Sequence, residues 1–371
     1  MTGPAGAPPA YRAVFCDLRS DQVLDTLPLT EVQYDDYIGK PGSLTATIPL
    51  PDAALAQRAR AALEPGRTAV WLERGTEIWW GGILWTCTPA GDERGRAEVQ
   101  IQAGTFDSYL DHRILSSDLN LSGDQFDLVR RILDHIQGVE GGDIGLVYGT
   151  EASGVNRTRS FAMSDVARVR EILDTLAAMD DGFEWRVHCY RDTQTGARVK
   201  QLQLGHPVIR TGATDIVLDR PGPVLSYSLP SDATVQANAW QSRGASVNRN
   251  QARESAPLLS RPLWNRDDIL VGGWPRLDGT SDYSDISDQA LLDAHALADW
   301  RRAARPQVIP EITVRVDGRI TPALLGSALR LRMHDLWHAE GSDTRFRIVG
   351  LAVTPPSRGQ AETAKLYLEK L

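Results

Sequence analysis

The stretch WLERGTEIWWGGILW, residues 71–85, holds four of the ten tryptophans in the chain. Two apolar runs flank Arg74–Gly75, the pattern of two strands joined by a tight turn. Crowded tryptophans could form a sugar-stacking platform, or they could fill a small barrel and face a neighbour. Successive side chains of a strand point to opposite faces. Of Trp79 and Trp80, one is therefore expected inside a barrel and the other outside it. Gly81–Gly82 predicts a bulge or the close approach of another backbone. The strand continues as Ile83–Leu84–Trp85 with no acidic or amide cluster beside it, which favours the barrel over the sugar site. Trp71, Leu72, Ile78 and Ile83 are then barrel-core candidates, and Trp79, Trp80 and Trp85 are interface candidates.

Working outward, residues 11–113 read as one β-rich domain. YRAVFCDLRSDQVLDTLP gives a strand, an Asp/Ser turn and a second strand. SLTATIPL alternates Leu44, Ala46, Ile48 and Leu50 on one face. DAALAQRARAALEPG is a short helix stopped by Pro65 and Gly66, and AEVQIQAG adds another strand. Residues 1–10, rich in Pro, Gly and Ala, read as a flexible arm without the basic and apolar regions of a signal peptide.

Residues 114–220 change character. Phe126, Val129, Ile132, Leu133 and Ile136 fall on one helical stripe ending at Gly138. Val166, Val169, Ile172, Leu173, Leu176 and Met179 repeat it, with Ser164 a candidate cap. FEWRVHCY and ARVKQLQLG form a hairpin, so this segment reads as an α+β insert.

Residues 221–371 return to β. They include an irregular stretch, 246–285, with Trp264 and Trp274 as further interface candidates, and a helix over 287–304 capped by Ser287 or Asp288. A loop this long inside a domain is usually an interaction element. ALRLRMHDLWHAEGSDTRFRIVGLAVTP repeats the strand, turn, strand, Gly, Pro order of the opening stretch, and a final alternating strand closes both copies. Leu331, Phe346 and Ile348 are the matching core candidates, and Gly350 is expected to correspond to Gly82. The fold class is mainly-β α+β: two similar antiparallel β-barrel domains with an α+β domain inserted between them.

Composition limits function. Of 371 residues, 42% are apolar and 24% charged, as in a globular protein. No apolar run reaches the ~18 residues of a membrane helix. A net charge of −8 argues against a protein that coats nucleic acid, though not against a wall that nucleic acid slides past. Cys16, Cys87 and Cys189 are distant from one another and sit in strand-like stretches, so they read as small buried hydrophobes.

The candidate chemistry is sparse. His334 to His338, HDLWH, mimics a zinc-protease motif, but its strand–turn–strand setting does not put both imidazoles on one helical face. Asp278, Asp282, Asp285 and Asp288 lack EF-hand spacing and read as loop and cap residues, with a calcium ion the alternative. Asp180, Asp181 and Glu184 could hold a catalytic carboxylate pair, but a solvated turn accounts for them better. No phosphate loop or nucleophile elbow is present, so no catalytic residue, metal or cofactor is assigned.

The order barrel, insert, barrel is carried by WWGGILW…VQIQAGTFDSYLDHRIL, then VLSYSLPSDATVQANAWQSRGA, SDISDQALLDAHALADW and FRIVGLAVTP…AKLYLEKL. In this the chain resembles the tail hub proteins of long-tailed bacteriophages, also called baseplate hub or minor tail proteins. The resemblance runs from about 11 to 371. It implies a non-enzymatic virion protein, made in the host cytoplasm and placed at the tail tip. It implies a homotrimer whose six barrels match a sixfold tail tube above and a threefold spike or fibre below. Its implied partners are a distal tail ring protein, a tape measure protein and tip spike or fibre proteins, with DNA only in passage. Arg301, Arg302 and Arg305 are then expected away from the lumen. The alternatives are a tail-tip enzyme degrading polysaccharide or peptidoglycan, and the hub of a contractile injection system.

Overall fold

The structure, a computed structural model, describes residues 10–246, 256–304, 310–357 and 359–371. Residues 1–9 of the expected arm, 247–255 of the expected loop and Arg305 lie outside the described residues.

The first strands are β1 (Tyr11–Asp17), β2 (Val23–Leu27), β3 (Thr30–Tyr37) and β4 (Ser43–Leu50). Helix α1 (Ala53–Ala62) follows, capped by Asp52, whose carboxylate accepts from the Leu55 N–H at 2.8 Å. The opening stretch is a hairpin of β5 (Thr68–Arg74) and β6 (Glu77–Gly91), and β7 (Ala97–Thr105) pairs back along β6. Gly75 makes the turn with φ +63°, a conformation that side chains resist. The ladder runs β3–β4–β7–β6–β5–β1–β2.

The insert contains β8 (Leu119–Asp124), α2 (Gln125–Gln137), β9 (Leu146–Tyr148), β10 (Asn156–Phe161), α3 (Val169–Ala177), β11 (Glu184–Arg191) and β12 (Arg198–Gly205). Its two helices bury Phe126, Val129, Ile132, Leu133, Ile136, Val169, Ile172, Leu173 and Leu176 in one core with Trp185. Ser164 does not cap α3. Val166 takes a left-handed conformation (φ +50°) and is exposed, so the helix starts three residues later, where the Glu171 carboxylate accepts from the Arg168 N–H.

After β13 (Thr211–Arg220) and β14 (Val224–Ser228) the chain leaves the main sheet. It forms β15 (Ala239–Ser246), β16 (Pro257–Leu259), β17 (Leu263–Trp264), α4 (Arg266–Leu270), β18 (Asp278–Asp282) and α5 (Gln289–Ala303). The main sheet resumes with β19 (Glu311–Arg315), β20 (Ser327–Met333), β21 (Ser342–Thr354) and β22 (Thr363–Lys370). β20, β21 and β22 form an antiparallel meander like β5, β6 and β7. The two strand sets join edge to edge where Gly350–Val353 of β21 pairs with Tyr34–Tyr37 of β3. The result is a mainly-β α+β fold with a 13-stranded sheet. No ladder among the described residues closes either set on itself.

The division into compact units departs from the boundaries expected at 113 and 220. One unit comprises Met1–Tyr227 and Glu311–Leu371, the other Ser228–Pro310. The β3–β21 ladder and the packing of the insert on β6 unite what alternation and helical period separate. The stretch expected as a loop, 246–285, holds three short strands around β15 instead. Strands of two to five residues are too short to show a period.

Candidate functional site

Trp71, Leu72, Ile78, Ile83, Leu331, Phe346 and Ile348 are all buried. Trp79 and Trp80, expected to divide between inside and outside, are both buried, each 2% exposed, and present no free surface. The register shifts between Leu72 and Glu73, so that Leu72 faces Trp80 while Glu73 faces Ile78. Trp79 is the extra residue. Its ring meets Tyr11 edge-on at 6.1 Å, with Arg74 4.5 Å above it. Trp80 Nε1 donates to the Asp35 carbonyl at 3.0 Å.

The strand has no outer face because the insert covers it. Trp71, Ile78 and Ile83 share a core with Ile144, Leu146 and Val187 of the insert. A Cβ on Gly81 would lie 2.8 Å from the Trp71 ring and 2.9 Å from Cys189 Sγ; one on Gly82 would lie 2.1 Å from the Gly104 carbonyl oxygen. Both glycines thus serve close approach. A near-continuous apolar run is the signature of a strand buried on both faces. Trp85 is half-buried, donating to Ser108 Oγ at 2.8 Å and stacking on His112.

Charged groups stitch the larger unit together. Arg347, 2% exposed, binds Glu184 and Glu369 at 2.6 Å each and donates to the Ile209 carbonyl. Glu184 is therefore a structural anchor, and Asp181 lies 3.4 Å from His206. Glu73, buried, is shared by Arg12 and Arg191. His188 Nδ1 lies 2.9 Å from the Arg186 guanidinium, which donates to it. Burial, then the Arg186 charge, lowers its pKa to about 3. Burial pushes the Cys16 thiol up to about 11 and raises Cys189 as well, so both are inert hydrophobes.

In the smaller unit Trp264 and Trp274 are about half-exposed. Trp264 lines a cleft of 590 Å³ with Trp240, Leu259 and Leu263. Arg266 and Arg276 stand over its ring at 4.9 and 5.9 Å. Among the acidic residues, Asp278 pairs with Arg276, Asp282 pairs with Arg243, and Asp288 caps α5. Arg302 pairs with Asp299 at 3.7 Å.

The most exposed large apolar pair was not among the residues singled out by sequence. HDLWH forms the turn between β20 and β21, with Leu336 103% and Trp337 83% exposed. The turn is braced by Asp335, whose Oδ1 accepts from the Trp337 N–H at 3.0 Å and the His338 N–H at 2.9 Å, and lies 3.0 Å from His338 Nδ1. The Tyr227 hydroxyl, and then His338, hold the Asp335 pKa down to about 2. The bracing places both histidines in a turn, where the zinc motif has no helix to align them. The signal available in the sequence was two large apolar residues at a hairpin tip, where neither can reach the core.

Structural comparison finds the same fold in solved phage tail proteins. The prophage MuSo2 43 kDa tail protein from Shewanella oneidensis matches at TM-score 0.61 and 11% identity, over 97% of this chain and 98% of that one. A tail protein from Neisseria meningitidis MC58 matches at 0.58 and 13%, over 97% and 96%. Prophage tail protein gp18 from Listeria monocytogenes EGD-e matches at 0.54 and 11%, over 97% and 95%. No family model matches the sequence. No curated protein matches it either. The chain has the fold of these prophage tail proteins, over almost its whole length.

Proposed function

We propose that this chain is a structural hub at the tip of a phage tail: a homotrimer whose two strand sets per subunit form a pseudo-sixfold ring. The ring adapts a sixfold tube, through a distal tail ring protein and the tape measure protein, to a threefold spike or fibre. DNA passes through it without being gripped. The observation that carries this reading is the match in fold to three prophage tail proteins along nearly the full length of both chains.

Local structure supports the duplication. Gly82 and Gly350 each sit in the middle strand of a three-stranded meander, and each lies against a ring: a Cβ would meet Trp80 Cη2 at 2.4 Å in one and Tyr37 Cδ1 at 2.4 Å in the other. Repeated surfaces are what a closed ring of six equivalent positions requires. Light scattering of the isolated chain at micromolar concentration should give the mass of three subunits. A stable dimer or hexamer would count against the proposal.

A further inference from the structure

The smaller unit holds a four-stranded sheet centred on β15, which pairs with β16, β17 and β18. One face of this sheet is covered. A Cβ on Gly244 would lie 2.9 Å from Leu292 Cδ2 of α5, so Gly244 faces that helix. Alternation turns Gln241 and Arg243 to the opposite face. The register adds four residues there: Arg243 pairs with Leu259 and Asp282, Gln241 with Thr280, and Ala239 with Trp264. Gln241, Arg243, Leu259, Trp264, Thr280 and Asp282 are all exposed. The 590 Å³ cleft opens on this uncovered face, and its size lies within the ~300–1,000 Å³ range of small-ligand sites. We propose that the cleft binds a neutral oligosaccharide, one ring of which stacks on Trp264.

Three observations select that ligand. The first is the ring. Trp264 stays 46% exposed although Arg266 and Arg276 stand 4.9 and 5.9 Å from its centroid. A pyranose presents a face of C–H groups, slightly positive, that suits the negative face of an indole. Its hydroxyls project from the rim, where guanidinium N–H groups beside the ring can donate to them.

The second is charge balance. Arg276 lies 2.9 Å from Asp278 and Arg243 lies 3.1 Å from Asp282, yet all four side chains are more than half exposed. Each pair cancels its own charge, so the face does not attract a polyanion. Each pair also keeps N–H groups and carboxylate lone pairs at the surface. A sugar hydroxyl both donates and accepts, so it can accept from the guanidinium and donate to the carboxylate of one pair. Thr280 adds a hydroxyl, and Gln241 adds an amide held by its donation to the Ser260 carbonyl at 3.1 Å.

The third is the shortage of apolar surface. Leu259 and Trp264 are the exposed large apolar side chains in the described lining. The core of a protein interface is apolar and poor in charge, so a protein partner would find little here to bury. Among the described lining residues Asp278 is the one carboxylate. Glycoside hydrolysis uses a pair, so the cleft holds a saccharide without cleaving it. The proposal does not depend on the ring reading above.

The test is an array of neutral hexose, N-acetylhexosamine and deoxyhexose oligomers, with uronate oligomers beside them, probed with the full chain. The chain should bind a neutral oligomer, and its affinity should hold between ~0.05 and ~0.5 M salt because no net charge is neutralised. For that oligomer, Trp264→Ala and Thr280→Arg should each raise Kd at least about tenfold. Trp274→Ala should leave Kd unchanged, since Trp274 is equally exposed but lies outside the lining. Circular dichroism checks that each variant is folded; Thr280 is exposed, so Thr280→Arg decides the matter if Trp264→Ala unfolds the unit. No binding anywhere on the array, binding confined to uronate oligomers, or parent-like binding by the folded variants would overturn the proposal.

Discussion

Gly82→Ala tests the packing of the tryptophan hairpin. The new methyl would lie 2.1 Å from the Gly104 carbonyl oxygen and 2.4 Å from the Trp80 ring. The carbonyl belongs to β7, paired to β6 through Gly82–Thr105 and Ile83–Gly104, so relief requires the ladder to part locally. Overpacking of this kind costs about 1–3 kcal/mol, and one weakened ladder hydrogen bond adds about 1 kcal/mol. The entropy advantage of alanine in the unfolded chain returns only ~0.4–1 kcal/mol. The net expectation is a loss of about 1–3.5 kcal/mol in urea unfolding. Gly81→Ala should cost less, because its neighbours at 2.8–2.9 Å are the Trp71 ring and the Cys189 side chain, not backbone. Gly318→Ala is the control: nothing lies within 4 Å of its added carbon. It should be neutral or gain up to about 1 kcal/mol. If Gly82→Ala were as stable as Gly318→Ala, the close strand approach would be wrong.

Other outcomes follow from the buried polar groups and the chain path. His188 is neutral when folded, its pKa lowered to about 3 from an ordinary 6.5, so its contribution is complete above pH 6.5 and is lost as pH falls toward 3. His188→Gln should flatten the fall in urea midpoint between pH 6.5 and 4, and an unchanged slope would place the effect elsewhere. Asp335 is depressed to about 2, chiefly by the Tyr227 hydroxyl, so the bracing it gives the turn is present above about pH 4 and lost as pH falls through 2. Tyr227→Phe should raise the titration midpoint of the Asp335 carboxyl carbon in an NMR experiment; no movement would remove Tyr227 from the brace. β14 and β19 are neighbours in the main sheet although residues 229–310 separate them. Replacing 229–309 by a short turn should leave the larger unit cooperatively folded by circular dichroism, and loss of the transition would contradict the division into units.

The mainly-β class, the two amphipathic helices of the insert and the buried positions of both meanders were legible because each has a period. Alternation marks Leu44, Ala46 and Ile48, and the 3.6 spacing marks Phe126 to Ile136. The burial of both Trp79 and Trp80 was not legible from alternation: a register shift makes Trp79 an extra residue that packs on Tyr11 and Arg74, while Trp80 reaches the Asp35 carbonyl, and all but Arg74 are far away in sequence. The joining of the two strand sets depends on Tyr34–Tyr37 meeting Gly350–Val353, a pairing across some 315 residues that no local pattern encodes. The smaller unit escaped because its strands are too short for periodicity. Leu336 and Trp337 escaped because a hairpin tip has no period to mark its residues as exposed, and the flanking His334 and His338 mimic a metal motif.

The central claim is that this chain forms the threefold hub of a tail tip. It is tested most directly by imaging the particle that carries the chain, at a resolution that resolves strands. The account predicts three copies around one axis at the tip, with the 68–105 and 327–370 meanders alternating as six equivalent positions around the channel. Six copies, a location along the tube, or meanders that do not superpose about that axis would contradict it.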